Sequence, residues 1–332
     1  MLLTRCSSRP SRSGSSRVSA PALTRQTVAE PGARSATPGR GWRQDLTGWA
    51  FAAPFVILFG VFLALPIAAS FVLSFTSFSQ RDLINPIGTS FVGVDNYARL
   101  LTDPKFWKAL GNTFYFVIVG VPLTLAIGLL IASAVSRGIT RFRTAFRVGY
   151  YLPVITSIVA IAVVWRFLLN PDIGLVNVLL ANLGITGPDW LASKTLAMPS
   201  IITMAIWRNL GFAMVVFIAG LQAIPVMLYE AASIDGAGRW QAFRYVTLPM
   251  LRPTILFMLV ITTIGYLQLF EEPFVMTDGG PLDATLSVTM YMYQQGFEFF
   301  KQGYASAIAY VLFVIVAVIA FLQFRFLRSE DA

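Results

Sequence analysis

The chain of 332 residues is long enough for two soluble domains, yet 56% of it is hydrophobic, 14% aromatic and only 12% charged, with a mean hydropathy of +0.69. Such a composition excludes a water-soluble protein and makes lipid the main solvent. A net charge of +9 and a pI near 9.9 would point to nucleic acid in a soluble chain, because phosphate neutralisation needs clustered Lys and Arg; in a membrane chain the location of the charge decides. There is no His and a single Cys, Cys6. Imidazole metal sites, intramolecular disulfides, Cys-cluster zinc sites and His- or Cys-based catalysis are therefore excluded. Serine or carboxylate chemistry survives on composition, but no motif pairs a serine with a base.

Residues 1–46 differ from the rest: Ser, Arg, Pro and Gly dominate, and apolar runs stay short. Too little apolar surface is available to offset chain ordering, so a disordered tail is expected. Arg25, Arg34, Arg40 and Arg43 interrupt the apolar stretch that a secretory signal requires. Eight arginines (5, 9, 12, 17, 25, 34, 40 and 43) against Glu30 and Asp45 give this tail +6. That charge suits a cytosolic leader held near anionic lipid better than a nucleic-acid arm.

From Thr47 onward, long apolar runs alternate with polar connectors. Six runs reach the length of about 20 apolar residues that a spanning helix needs: 48–76, 112–135, 148–169, 198–221, 252–271 and 303–325. The expected fold is an all-α integral membrane protein, with six transmembrane helices in one domain from 47 to 332. Pro66 inside the first run removes a helix hydrogen bond and predicts a kink or tilt.

Orientation follows from the connectors. One side collects the eight tail arginines, Arg137, Arg141, Arg143, Arg147, Arg239, Arg244, Arg252, Arg325 and Arg328. The other holds only Arg81, Arg99, Lys105, Lys108, Lys194 and Lys301, with Asp82, Asp95, Asp103, Asp172, Asp189, Glu272, Asp278, Asp283 and Glu298. Both termini are expected in the cytosol. Arg166 lies within a turn of an outer helix end and can snorkel to the interface. Arg208 lies about ten residues from either end of its run, where a central Arg costs about 2.5–3.5 kcal/mol on insertion scales. It needs a partner or a water-filled path: a structural pair with Glu271, at the outer end of the fifth run, and a role on a substrate path both fit.

The connector between the fourth and fifth runs reads Glu230-Ala231-Ala232-Ser233-Ile234-Asp235-Gly236 and, nine residues later, Val246-Thr247-Leu248-Pro249. Pro225 opens a short helix, Ala231, Ala232 and Ala237 keep one face small, and Gly236 with Gly238 breaks it. A second short helix from Arg239 to Val246 is expected to end at Leu248-Pro249. The segment resembles the EAA loop of binding-protein-dependent ABC importer permeases, E-A-A-x3-G-x9-I-x-L-P, with Val246 as its departure. Phe91-Val92-Gly93-Val94-Asp95-Asn96-Tyr97 is similar to the F-x-G-x-x-N-Y signature of the carbohydrate-uptake branch, which includes maltose, multiple-sugar and glycerol-phosphate permease subunits. Asn112-Thr113, Trp207 with Gly211-Phe212, Gly220-Leu221-Gln222-Ala223-Ile224-Pro225 and Thr277-Asp278-Gly279-Gly280-Pro281 are similar to that branch as well. The likeness runs from the first helix to the C-terminus and leaves out the tail.

The resemblance implies half of a transporter for a sugar or oligosaccharide. A second permease subunit would complete the path, two ABC ATPase subunits would dock beneath it and use ATP and Mg, and an extracytoplasmic solute-binding protein would deliver the solute. The chain has no G-x-x-x-x-G-K-[ST] phosphate loop, so it is expected to bind no cofactor and to be no enzyme itself. The resemblance assigns ATPase coupling through a short cytosolic coupling helix to Glu230, Ala231, Ala232, Asp235, Gly236, Leu248 and Pro249. Glu230 would reach a basic or hydrogen-bonding group of the ATPase, the two alanines would sit in its cleft, and Gly236 would supply the turn; the alternative for Glu230 is a solvated surface carboxylate. Candidates for a mid-membrane solute path are Arg208, Asn209, Gln268 and Glu271, with Trp207 and Tyr266 as stacking surfaces for a sugar ring or as plain packing. Gly279-Gly280-Pro281 reads as a turn rather than a phosphate cradle. An alternative cargo is a polyol or glycerol phosphate ester, since Arg208 could favour an anion. A stand-alone carrier or channel would need a proton relay or inverted repeats, and a membrane hydrolase paired acids in the spans; neither pattern is visible.

Overall fold

The computed structural model describes residues 42–83, 89–137 and 143–327; the tail up to residue 41 lies outside them. Among the described residues, regular structure is helical apart from one isolated bridge between Thr76 and Phe91. Four helices are long and apolar enough to cross a membrane, and two pairs bent at short breaks bring the number to six if each pair is one crossing. Helix α1 (Trp42–Phe59) is a unit by itself, with Phe55 and Phe59 stacked at 6.1 Å. It starts before the tail boundary drawn above, so residues 42–46 are helical.

In the remainder, a π-helical turn (Gly60–Ala64) precedes α2 (Leu65–Leu73), and Pro66 occupies the first turn of α2. The widened π turn gives its ring room against the preceding carbonyls, which is the form the expected kink takes. Tyr310 ties α2 down, its hydroxyl donating to the Ile67 carbonyl at 2.5 Å and meeting Ser70 Oγ at 3.2 Å. The segment after α2 then closes its end. Asn96 donates to the carbonyls of Ser74 and Thr76, both at 2.9 Å, and the Tyr97 hydroxyl meets Ser74 Oγ at 2.7 Å. Gly93, at φ +58, turns the chain into α3 (Asp95–Thr102). Helix-end carbonyls near hydrocarbon need such partners, and the F-x-G-x-x-N-Y segment supplies them.

Helix α4 (Pro104–Arg137) is followed by α5 (Arg143–Ile155), α6 (Ile158–Leu168), α7 (Leu175–Asn182) and α8 (Ala197–Gln222). The expected span 148–169 is not straight: α5 and α6 meet at 105°. Pro153 withholds an N–H near the end of α5, and the Thr156 hydroxyl bonds back to the Leu152 carbonyl at 2.9 Å, so the helix stops there. Helix α8 packs along α4 and against α5. Phe116, Val121, Ile201, Met204 and Tyr266 are buried in one core; Ala132, Ala213, Phe217 and Met258 form another.

An elbow follows α8, made of α9 (Val226–Ile234), α10 (Arg239–Ala242), a π turn (Phe243–Thr247) and α11 (Leu248–Met250). It leads into α12 (Arg252–Leu267), α13 (Glu271–Met276), α14 (Val288–Tyr293) and α15 (Gln302–Leu327). The expected span 252–271 ends early, because the chain leaves the helix at Gln268 and turns at Phe270 (φ −141). Ser287 holds that break: its hydroxyl donates to the Leu269 carbonyl at 2.5 Å and accepts from the Met290 N–H at 3.1 Å, capping α14.

Helices come close where side chains are absent. A Cβ on Gly128 would lie 2.6 Å from that of Ala213, and one on Gly211 would collide with the Tyr150 backbone carbonyl. Gly211→Ala is expected to overpack the α5–α8 contact and cost about 1–3 kcal/mol, whereas Gly111→Ala enters open space. Thermal unfolding of both variants in detergent checks this; equal melting temperatures would contradict the packing.

Candidate functional site

The elbow is built from backbone hydrogen bonds and one side-chain staple. Helix α9 ends with the Ala237 N–H on the Ala232 carbonyl at 2.9 Å and the Gly236 N–H on the Ser233 carbonyl at 3.1 Å, with Gly236 at φ +77. This is a Schellman ending, which requires the left-handed conformation that glycine adopts without strain. Gln241 Oε1 then accepts from the Gly238 N–H at 2.7 Å and starts α10. Across the two arms the Tyr229 hydroxyl meets the buried Thr247 Oγ1 at 2.9 Å. Leu248-Pro249 does not end the second arm as expected. The helical path runs through Pro249 in the first turn of α11 and bends by 66° into α12; the π turn before it accommodates the ring.

The elbow presents an apolar surface without a cover in this chain. Ile234 is 86% exposed and Trp240 72%, with Val226, Met227 and Tyr245 also exposed. Glu230, Ala231, Asp235 and Leu248 are exposed beside them, while Ala232 and Pro249 are half-buried.

A second group of candidate residues lies on α8 and α12. Arg208 has its Nε buried without a hydrogen-bond partner. It forms no ion pair within 4.0 Å among the described residues, so the pair with Glu271 is not made. Glu271 is exposed; its neighbour Glu272 is only 7% exposed, and the Arg208 charge acts on that carboxylate. The break at 268–270 redirects the chain, so positions on α13 do not continue the faces of α12. Tyr266 is buried at 6% exposure, its hydroxyl 2.9 Å from Thr124 Oγ1 and its ring 4.8 Å from that of Phe116. Arg208, Asn209 and Glu272 all act on the Tyr266 hydroxyl, and Asn209 also donates to the Ala205 carbonyl at 2.8 Å. The structure therefore gathers Arg208, Asn209 and Tyr266 with Glu272 and Thr124. Trp207 stands apart beside Trp165, ring centroids 5.8 Å apart, and Gln268 is exposed. Sequence reasoning missed Glu272. No local signal marks it: adjacent helix positions point about 100° apart, so one polar face can hold both acids of the Glu271-Glu272 doublet, and it is the turn at 268–270 that buries Glu272.

Outside the spans, Asp103 organises the start of α4. It accepts from the hydroxyls of Tyr291 at 2.5 Å and Tyr304 at 2.7 Å, and from the Lys105 N–H at 2.9 Å. The Arg99 guanidinium sits 4.6 Å from the Tyr304 ring centre. Burial pushes the Asp103 carboxyl up, but the Tyr291, Tyr304 and backbone hydrogen bonds outweigh it and hold the group below the usual carboxylate range. Nearby, Asn112 donates to the carbonyls of Asp283 at 2.8 Å and Leu286 at 2.9 Å, and Thr113 accepts from the Val288 N–H at 3.1 Å. The Thr277 and Thr285 hydroxyls meet at 2.7 Å, closing the turn that contains Gly279-Gly280-Pro281.

The described residues thus form a helical membrane protein with a stapled elbow between two of its packed helices. Residues 104–329 match the family described as binding-protein-dependent transport system inner membrane component, and the chain belongs to that family of multi-pass membrane permeases. It is 39% identical over 291 residues to the lactose transport system permease protein LacF of Rhizobium radiobacter, covering 86% of this chain and 95% of that one. It is 33% identical over 298 residues to the arabinooligosaccharides transport system permease protein AraP of Bacillus subtilis (strain 168), covering 88% and 93%. Among solved structures it is similar to a chain of a bacterial alginate ABC transporter in complex with an alginate pentasaccharide-bound periplasmic protein. There the TM-score is 0.74 and the identity 26%, over 86% of this chain and 96% of that one.

Asp103→Asn is expected to destabilise the protein by about 1–3 kcal/mol by weakening the charge-assisted hydrogen bonds. A carboxylate with a lowered folded pKa stabilises above its unfolded value, about 3.9, and loses that contribution as pH falls through the folded value. Melting temperatures of wild type and variant should therefore differ at neutral pH and converge below about pH 4; a gap that is constant with pH would contradict this assignment.

Proposed function

We propose that the chain is the permease subunit of an ATP-driven importer for a sugar or oligosaccharide. The observation that carries this reading is the elbow: a stapled helix pair with exposed Ile234, Trp240 and Glu230, fixed to the end of the buried helix α8. An exposed apolar patch on a polar connector marks a contact surface, and in this reading the ATPase covers it. The lactose and arabinooligosaccharide systems of its relatives, and the alginate transporter it resembles, support a saccharide cargo.

In this reading α5 with α6 supplies one crossing and α12 another beside the four long helices, giving six, and the excess of Arg in the connectors puts both termini and the elbow in the cytosol. Two ATPase subunits hydrolyse ATP with Mg and grip the elbow. Glu230 meets a basic or hydrogen-bonding group of the ATPase, Ala231 and Ala232 enter its cleft, and Gly236 sets the turn; Asp235, Leu248 and Pro249 complete the contact. Motion of the elbow passes into α8, and so to Arg208, Asn209, Tyr266 and Glu272. A second permease subunit supplies the other half of the path, and an extracytoplasmic binding protein delivers the solute. The unpartnered Nε of Arg208 favours a second cargo, a glycerol phosphate ester, which would neutralise it.

Glu230→Lys and Gly236→Pro are each expected to abolish solute uptake while the protein stays in the membrane at wild-type levels. Uptake assays with quantified membrane fractions check this. Normal uptake by both variants would overturn the coupling role of the elbow.

A further inference from the structure

A cavity of about 410 Å³ lies where the end of α6, the turn at 189–192 and the segment from α13 to Pro281 meet. It includes neither the elbow nor the Arg208 group. Its polar lining comes from Arg166, Asn170, Asp189, Thr277 and Asp278, and its aromatic lining from Phe274.

Most of this lining is not engaged elsewhere. The side chains of Arg166 and Asp278 make no hydrogen bond or ion pair among the described residues. Asp189 uses Oδ1 for the Ala192 N–H at 3.0 Å, and Asn170 uses Oδ1 for the N–H groups of Asp172 and Ile173, at 2.9 and 3.1 Å. One carboxylate oxygen of Asp189 and the Asn170 amide nitrogen remain unused. The Phe274 ring is already fixed. It stacks on Phe270 with centroids 5.2 Å apart and meets Tyr293 edge-on at 5.6 Å, yet it stays 37% exposed. Asp278 stands at φ 50 beside Thr277, which is held to Thr285.

We infer that this cavity is a binding site for a neutral saccharide, which rests on the reading of the chain as an importer permease. A sugar ring has apolar faces of C–H groups and an edge of hydroxyls. Phe274 offers a flat apolar platform for the face; the carboxylates of Asp189 and Asp278 accept from hydroxyls, and Arg166 and Asn170 donate to them. The volume falls within the range of small-molecule sites, about 300–1,000 Å³. Two carboxylates against one guanidinium leave a negative wall, which disfavours a phosphate ester or an acidic sugar. The site is thus a station for the solute separate from the Arg208 group.

The test is saturation-transfer NMR on the full-length chain assembled with its partner permease and ATPase subunits in lipid nanodiscs, without the binding protein. Lactose and maltose serve as neutral probes and digalacturonate as an acidic one. The wild type should saturate at least one neutral probe and not the acidic one. Phe274→Ala should weaken neutral binding about three- to tenfold, and Phe274→Tyr, which keeps the platform, should restore it. Asp278→Asn should narrow the preference for the neutral probe. No transfer to either neutral probe, preference for digalacturonate, or equal binding by wild type and Phe274→Ala would overturn the inference. So would a Phe274→Ala variant that weakens docking of the binding protein with saturation transfer unchanged, which would assign the cavity to protein contact. ATP-driven uptake by the wild-type complex in proteoliposomes, with its loaded binding protein, is scored separately: uptake without cavity binding rejects only the cavity, and absence of uptake rejects the functional reading.

Discussion

Helix α8 is held by close contact at positions without side-chain bulk, and the other packed helices take their places from it. In lipid the hydrophobic effect does not drive one apolar helix against another, so association depends on van der Waals fit and on interhelical hydrogen bonds. Gly128 on α4 faces Ala213 on α8, Gly211 on α8 receives the backbone of α5 at Tyr150, and Gly220 near the end of α8 lies against Thr254 of α12. At each of these glycines a Cβ would meet an atom of the neighbouring helix at under 3 Å. Fourteen residues of α8 are buried, from Ala197 to Ile218, which makes this helix a fixed post rather than a flexible strut.

The same helix joins the elbow to the Arg208 group. Asn209 and Gln222 are thirteen residues apart on one helix, a rise of about 20 Å. Three residues after α8 ends, Pro225 starts the elbow. The Tyr229–Thr247 contact ties the two arms of the elbow to each other. At the opposite ends of the helices the connectors are pinned by hydrogen bonds from Asn96, Asp103 and Asn112. Such pins satisfy polar groups that hydrocarbon cannot.

What could be read from the sequence was short-range. The elbow was legible because its proline, small residues and glycine act within one turn of where they stand, and Gly236 takes the φ that its spacing required. Span positions were legible from apolar run length, although Pro153 and the break after Leu267 bent two of them beyond what hydropathy records. The clamps were not legible. Asp103 bonds to tyrosines 188 and 201 residues away, and nothing local to Asp103 specifies them. Glu272 was counted with the outer acids because it falls just past the end of the fifth apolar run; only the redirection of α13 buries it. The aromatic set around Phe274 likewise depends on α13 and α14 coming together, which no periodicity within either short helix encodes.

The central claim is that this chain moves a sugar only as half of an ATP-driven machine, with the elbow as the joint. The most direct measurement is uptake of a neutral saccharide into proteoliposomes containing the chain alone, or the chain with its partner permease, ATPase subunits and loaded binding protein, each with and without ATP. The account predicts accumulation only in the complete assembly with ATP. Sugar movement by the chain alone, independent of ATP, would contradict it and assign the protein to the carriers or channels.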